Sequence, residues 1–318
     1  MGNLTEKKNW NELKPGESLV AFFLIRRVET KTTAGGNRYL DIVLGDAGGE
    51  ITARMWDCKQ EDEALYQSNM LVKIKGSMAE WQGKKQVKID KIRAAVADDQ
   101  VDIQAFIPVA PYSPEAMYAE LLQYLGRMEN VKIRETVQLL LTEAGEKLLI
   151  HPAAVQNHHA LRSGLLYHTL TMLKAGEKLA DVYTFLDKDL LYAGIMLHDV
   201  AKLDEIDANA LGIATEYTVE GQLLGHIVQG IKKIEKAADK AGLDEETSLL
   251  LQHMLLSHHY EPEYGSPKRP MFPEAEILHY LDIIDARMFD MQKALNETEP
   301  GNFSDKLWTL NNRRLYKR

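Results

Sequence analysis

Ala193-Gly194-Ile195-Met196-Leu197-His198-Asp199-Val200-Ala201-Lys202 is the stretch on which the fold of this chain turns. Small and apolar residues lead into an imidazole, a carboxylate and, three residues later, an ammonium. The apolar pattern begins at Leu186 and has helical spacing, so the His-Asp pair stands at a helix end. Burying a set of polar rings without partners costs kcal/mol for each. An adjacent imidazole nitrogen and carboxylate oxygen can instead converge on one divalent cation, and the carboxylate can bridge to a second.

Working outward, nine of the ten histidines lie between residues 151 and 259, and the last is His279. Helical patterns run over Ala116 to Met128, Ile133 to Leu149, Gly164 to Leu179, Leu186 to His198, Gly221 to Ala241, Glu245 to Ser257 and Pro273 to Leu295. Along them come His168, then His198-Asp199, then His226, then His258-His259, then Asp282, each on or beside a separate helix. Inward side chains on facing helices are how bundles build metal sites. A His-Asp dipeptide alone recurs by chance; this order makes it informative.

The first third has a different period. The run Leu19 to Ile25, then Tyr39 to Leu44, Ile51 to Trp56, Val72 to Met78 and Gln86 to Arg93 have strand character. Ala34-Gly35-Gly36-Asn37, Gly45-Asp46-Ala47-Gly48-Gly49 and Trp81-Gln82-Gly83-Lys84 supply the turns. Five short strands with glycine-rich turns suit a small closed barrel of the OB type, with a generic β-sandwich as the rival. Pro108, Pro111 and Pro114 punctuate a linker, and Ser113 with Pro114 is an N-cap and first helical position. The expected class is α+β in two domains: an OB-like β-barrel over residues 1–107 and an all-α bundle over residues 108–318.

The 318 residues suffice for two such domains, and 45% hydrophobic with 27% charged residues is ordinary for a soluble protein. Cys58 is the single cysteine, which excludes a disulfide framework and a thiolate zinc site and makes a reducing cytoplasm the simplest compartment. Met1 to Glu17 is polar and does not read as a signal peptide, and no membrane-spanning apolar run is present. The net charge of −9 falls unevenly: residues 1–110 carry 16 basic and 16 acidic side chains, and the remainder 22 and 31. Lys73, Lys75, Lys84, Lys85, Lys88, Lys91 and Arg93 form a local basic strip against Glu80 and Asp90. Such a strip is either a solvated strand face or a docking site for a polyanion. Phe22, Phe23, Tyr39, Trp56 and Trp81 are candidate stacking platforms, with barrel core as the alternative for each; alternation requires at least one of Phe22 and Phe23 to be core.

The order H…HD…H…HH…D resembles the HD-domain metal-dependent phosphohydrolases over Gly164 to Ala286. Three stretches carry a narrower likeness: Asn157 to Thr169, Leu197 to Lys202, and Leu256 to Glu261 with Gly265-Ser266-Pro267. With an OB-like barrel in front, the chain is similar to the YhaM-type 3′-to-5′ exoribonucleases. That resemblance implies a divalent-metal exonuclease that takes single-stranded RNA or DNA and releases 5′-nucleotides. By position, His168, His198, Asp199 and Asp282 would hold one ion, and His226, His258 and His259 a second. Asp199 would bridge and Lys202 would face the substrate phosphate, making these two the catalytic candidates. Two assignments stay open: His253 could replace one of the His258-His259 pair, and Asp285 could replace Asp282 or support a ligating histidine from behind. Ala201 stands where many relatives carry glycine, which bears on packing.

The donor set lacks thiolate and suits Mn²⁺, Mg²⁺, Co²⁺ and Fe²⁺ alike; the resemblance implies manganese or magnesium, with Mn²⁺ the leading expectation. Arg162, Lys84, Lys85 and Trp81 are the expected substrate contacts, and Arg162 competes with a plain surface arginine. His158 and His159 could donate to a leaving group or stack a base, and Tyr260 could stack too; His151 and His279 read as structural. Two rival functions are a small-nucleotide or cyclic-dinucleotide phosphohydrolase and a nucleic-acid-binding regulator that does not hydrolyse. Whether the chain forms a homo-oligomer is not legible.

Overall fold

The computed structural model describes residues 10–46, 49–155 and 159–318. His158 and the Ala47-Gly48 part of one expected turn lie outside the described residues. The chain divides into two compact units, Met1–Pro108 and Val109–Arg318.

In the first unit, strands β1 (Ser18–Thr32), β2 (Arg38–Asp46), β3 (Gly49–Trp56), β4 (Leu71–Trp81) and β5 (Lys84–Ala94) close a barrel in the order β1-β2-β3-β5-β4. The long β1 pairs with β4 through its first half and β2 through its second, and a bulge between Ile25 and Arg27 accommodates the switch. The β3–β5 pairing is parallel and completes the closure. This is the OB arrangement and not a sandwich. Alternation decides the interior: Leu40, Ile42, Leu44, Val72, Ile74 and Val87 are fully buried, as is Phe23, while Phe22 faces outward. The β4–β5 turn uses Gln82 and Gly83, both at positive φ, the two-residue geometry whose twist matches a hairpin. A helix α1 (Gln60–Leu65) between β3 and β4 escaped the sequence reading. It is one exposed, acidic turn and a half with no buried side chain, so it leaves no apolar period.

The second unit contains helices α2 (Pro114–Gly126), α3 (Val131–Ile150), α4 (Gly164–Val182), α5 (Lys188–Leu197), α6 (Lys202–Glu205), α7 (Val219–Ala241), α8 (Glu245–Ser257) and α9 (Pro273–Asn296). Ser113, Asp187, Thr218 and Asp244 each accept a backbone N–H as N-caps, so local chemistry fixes where these helices begin. Leu165, Leu166, Leu170 and Leu173 of α4 and Leu191, Ile195 and Leu197 of α5 share one core, each burial favouring the fold by about 1.5–3 kcal/mol. A small hairpin, β6 (Ile206–Ala208) with β7 (Ala214–Tyr217), interrupts what the sequence presents as helices alone. Among the described residues, no helix is long and apolar enough to cross a membrane.

Candidate functional site

Three of the five segments that carry the functional side chains stand where a helix ends or breaks, and two lie within helices. His198 caps the C-terminus of α5 and Asp199 follows it. His258 caps α8 and His259 follows. His168 lies within α4 and Asp282 within α9, on elements that pack against each other. His226 depends on a break: Gly225 in α7 sits at φ 67°, which interrupts the helical ladder. The His226 N–H, released from a helical acceptor, donates to Glu205 Oε1 at 3.1 Å.

The Asp199 carboxylate is buried and its oxygens face different histidines. Oδ2 lies 2.7 Å from Lys202 Nζ, 3.4 Å from His198 Nε2 and 4.0 Å from His168 Nε2. Oδ1 lies 3.4 Å from His226 Nε2 and 3.9 Å from His258 Nε2. Around it, the ligand atoms of His168, His198 and Asp282 fall within 4.8 Å of one another, and so do those of His226, His258 and His259.

All five rings present the same nitrogen to this centre. Nδ1 of His198 donates to the Ile195 carbonyl, His258 to Leu255 and His259 to Tyr264, at 2.8, 2.7 and 2.6 Å. His226 Nδ1 meets Glu205 Oε2 at 3.0 Å, and His168 Nδ1 meets Asp285 Oδ2 at 2.6 Å. A carbonyl or ionised carboxylate only accepts, so Nδ1 carries a proton and a neutral ring turns its Nε2 lone pair inward; at His168 that requires the loss of a second proton, which Asp282 and Asp285 hold on the ring. Nε2 of His198, His226 and His258 and Oδ1 of Asp199 are buried without a hydrogen-bond partner among the described residues. Four converging orphans of this kind fit a bound cation, since buried polar atoms otherwise find partners.

The electrostatics agree. Burial alone would raise the Asp199 carboxyl, but Lys202, His198 and His226 hold it well below the usual carboxylate range. Burial works against the Lys202 ammonium, and Asp199 more than compensates. Burial and the adjacent His259 and His198 rings push His258 well below the imidazole range; burial and His226 lower His259. Neutral rings are what metal ligation needs. Against its own burial, Asp285 is drawn to about 2 by hydrogen bonds from His159 and His168, and Glu205 is lowered by His226. Both are therefore acceptors at neutral pH.

Two comparisons bear on this arrangement. The HD domain family matches residues 165–287, the segment that carries both ligand clusters, Lys202, Glu205 and Asp285; His159 lies just ahead of it. Over 302 residues the chain is 43% identical to the 3′-5′ exoribonuclease YhaM of Halalkalibacterium halodurans, covering 95% of this chain and 93% of that protein. The YhaM proteins of Bacillus licheniformis and Bacillus pumilus are each 40% identical, with 95% of both chains covered. The chain belongs to the YhaM exoribonuclease family. The likeness spans both units, so in this YhaM-family chain the barrel and the bundle are inherited together.

Other sequence expectations land differently. Asp285 joins His159 and His168 by bonds of 2.7 and 2.6 Å, behind the ring that Asp282 Oδ1 meets at 3.3 Å in front. His253 stands apart from both clusters and accepts the Met271 N–H. A cleft of about 540 Å³ opens on Lys202, His258, His259 and Asp282. Arg162 does not line it; its guanidinium donates to the Ala210 carbonyl at 3.2 Å. The Tyr260 ring lies over His279, with Arg269 above it. His151 and His279 hydrogen-bond to backbone carbonyls. Glu205 was missed by sequence reading. Its only signal was a carboxylate in Lys202-Leu203-Asp204-Glu205, close behind the His-Asp pair.

On the barrel, Tyr39 and Trp56 are cross-strand partners with ring centroids 4.6 Å apart, and the Arg54 guanidinium lies 5.9 Å from each ring. Trp81 is exposed across from Lys84 at the β4–β5 turn. Lys85 donates to the Asn11 carbonyl. Lys73 pairs across the ladder with Arg93, and Lys75 with Lys91. Asp99 bridges the first of these pairs, binding Arg93 through both oxygens and lying 3.6 Å from Lys73.

Proposed function

We propose that this chain is a metal-dependent 3′-to-5′ exoribonuclease that shortens single-stranded RNA to 5′-nucleotides. The observation that carries the proposal is the division of the Asp199 carboxylate, one oxygen toward each of two clusters of inward Nε2 atoms. In this reading His168, His198, Asp199 and Asp282 would hold one divalent ion and His226, His258 and His259 another, with Asp199 shared between them. A bound pair of this type supplies Lewis acidity at a phosphoryl oxygen and brings the pKa of a water toward neutrality. Mn²⁺ is the proposed metal on the family resemblance; the mixed carboxylate and imidazole donors also admit Mg²⁺, Fe²⁺ and Co²⁺.

The chain's own side chains do the rest. Glu205 and Asp285 hold His226 and His168 in one tautomer. Burial keeps His258 and His259 neutral. Lys202 balances the buried Asp199 charge and lines the cleft, where its ammonium can face the scissile phosphate. At His168, burial favours the neutral ring but Asp282 and Asp285 outweigh it and raise the pKa to about 10. Metal uptake at this nitrogen would therefore release a proton.

The first unit, with its boundary near residue 107, is proposed to guide the strand. OB barrels take oligonucleotides on the face of strands 2 and 3 and on the loops between strands 1 and 2 and strands 4 and 5. Here that face carries Tyr39, Arg54 and Trp56, and the second loop carries Trp81 and Lys84, with Lys85 beside it. Bases would stack on the rings while cations follow the backbone. Arg162 is proposed only as an outer phosphate contact. A cytoplasmic location is proposed on the single, buried, unpaired Cys58.

The test is incubation of purified protein with end-labelled single-stranded RNA and DNA in Mn²⁺, Mg²⁺ or EDTA. A ladder receding from the 3′ end of RNA, absent in EDTA, is expected. Cleavage of small cyclic or free nucleotides alone would replace the proposal with a small-molecule phosphohydrolase.

A further inference from the structure

The cleft at the metal clusters has a far wall that the sequence did not announce. Besides Lys202, His258, His259 and Asp282, it is lined by Tyr264, Arg287 and Trp308. These come from the turn after α8, from α9 and from the C-terminal segment. Its volume of about 540 Å³ falls within the roughly 300–1,000 Å³ of small-ligand sites.

Trp308 is 68% exposed and Tyr264 is 72% exposed. Among the described residues, neither ring has a stacking or cationic partner. Tyr260, in the same cleft, is already covered by His279 and Arg269. Trp308 is not a loose side chain. It opens a single 3-10 turn, Trp308–Leu310, that packs on α9 and ends in the buried Leu310. Backbone bonds from Leu307 to Arg313 and from Asn312 to Leu307 close the loop around it. A large apolar ring held at a cleft mouth by a fixed backbone pays a hydration cost unless something flat covers it. Arg287, exposed on the same cleft and five residues past Asp282, adds a planar cation suited to phosphate.

We propose that Trp308 is the stacking platform for the base of the 3′-terminal nucleotide, with Tyr264 as a second apolar wall and Arg287 facing a backbone phosphate. Trp308 is thus a positioning residue: it touches the base and not the reacting atoms. The proposal rests on the exonuclease reading above and specifies where that enzyme holds the nucleotide it releases. Because every base has a π-face, the platform tolerates all four terminal bases and favours the larger purines.

The experiment uses the full chain with Trp308→Ala and Trp308→Phe. Steady-state kinetics on single-stranded RNA with Mn²⁺ are measured beside 5′-AMP affinity by calorimetry without turnover. Trp308→Ala should raise both KM and the Kd for 5′-AMP about ten-fold, the order of one lost base stack, and leave kcat near wild type. Trp308→Phe should restore most of both, and substrates ending in A or G should be hit harder than those ending in C or U. Unchanged KM and 5′-AMP affinity in Trp308→Ala, or no 5′-AMP binding by the wild-type chain, would overturn the platform. A wild-type chain without RNA hydrolysis would instead sink the exonuclease reading, and the 5′-AMP titration would still decide on Trp308.

Discussion

The two units hold their charges in opposite ways. On the barrel, exposed Lys75 faces exposed Lys91 across the β4–β5 ladder, and Asp99 offsets the neighbouring Lys73–Arg93 pair. In the bundle, Asp199, Lys202, His198 and His258 are enclosed, and every charge lies beside an opposite one or a ring nitrogen. Like charges opposite on a wet strand pair cost only about 0.2–1 kcal/mol, and salt screens them. Removing one partner from a buried pair costs about 3–5 kcal/mol, because the survivor has no water to turn to. The barrel can therefore carry a repulsive cationic surface as a steady, small expense, whereas the bundle must balance its charges within a few ångströms. Substitutions on the barrel should change how the strand arrives; substitutions in the bundle should change whether metal and chemistry exist at all.

The largest effect should come from Asp199→Asn, which keeps the shape and removes the charge shared by both clusters. Hydrolysis should fall by at least about 10³-fold, in line with loss of a central charge stabiliser, and metal content by elemental analysis should drop with it. Wild-type turnover with full metal occupancy in this variant would erase the contrast between the units.

Glu205→Gln should act one step removed. The amide can still receive the His226 Nδ1–H but no longer brings a negative charge, so apparent metal affinity should weaken about 10- to 100-fold. Excess Mn²⁺ should recover most of the rate. If it does not, Glu205 has a part in the chemistry beyond orienting His226.

On the barrel, Trp56→Ala should weaken binding of long single strands by about 1–3 kcal/mol, the range for one stacked base, and leave cleavage of very short substrates untouched. A matching loss of kcat on those short substrates would place Trp56 in the bundle's business and blur the division.

The smallest effect per residue, and the one most sensitive to conditions, is expected at Lys84 and Lys85. Log KM for long RNA should rise with log salt, with a slope of about 0.7 per phosphate neutralised, while kcat stays level. The double alanine variant should flatten that slope. Lys85 already has the Asn11 carbonyl, so Lys84→Ala alone should account for most of the change. Identical slopes in wild type and variant would mark the turn as a solvated hairpin and move the strand path to the Lys75–Lys91 side.

Much of this was legible in the chain itself. Period two before Pro108 and period 3.6 after it separated barrel from bundle, because burial of one face imposes that period whatever the partner element is. The order of His168, His198-Asp199, His226, His258-His259 and Asp282 was equally visible, since too many polar groups fell inside apolar helices to be buried without a common partner. Phe23 as core was half legible: alternation required one of two adjacent phenylalanines to point inward, and the pairing with β4 decided which.

What the tertiary structure alone decided concerns direction and neighbours far apart in sequence. Asp282 and Asp285 are one turn apart on α9, and only the packing of α9 on α4 puts one in front of His168 and the other behind it. Glu205 became a partner of His226 because α7 breaks at Gly225 and frees a backbone N–H to meet it. That the two Asp199 oxygens look toward different clusters depends on how the ends of α5 and α8 meet α4 and the break in α7. Trp308 had no periodic pattern to betray it, for its place comes from a short turn packed on α9. Sequence patterns record which face of an element is buried; which atom of a buried group points at which other is set by long-range packing, and the chemistry proposed here depends on it.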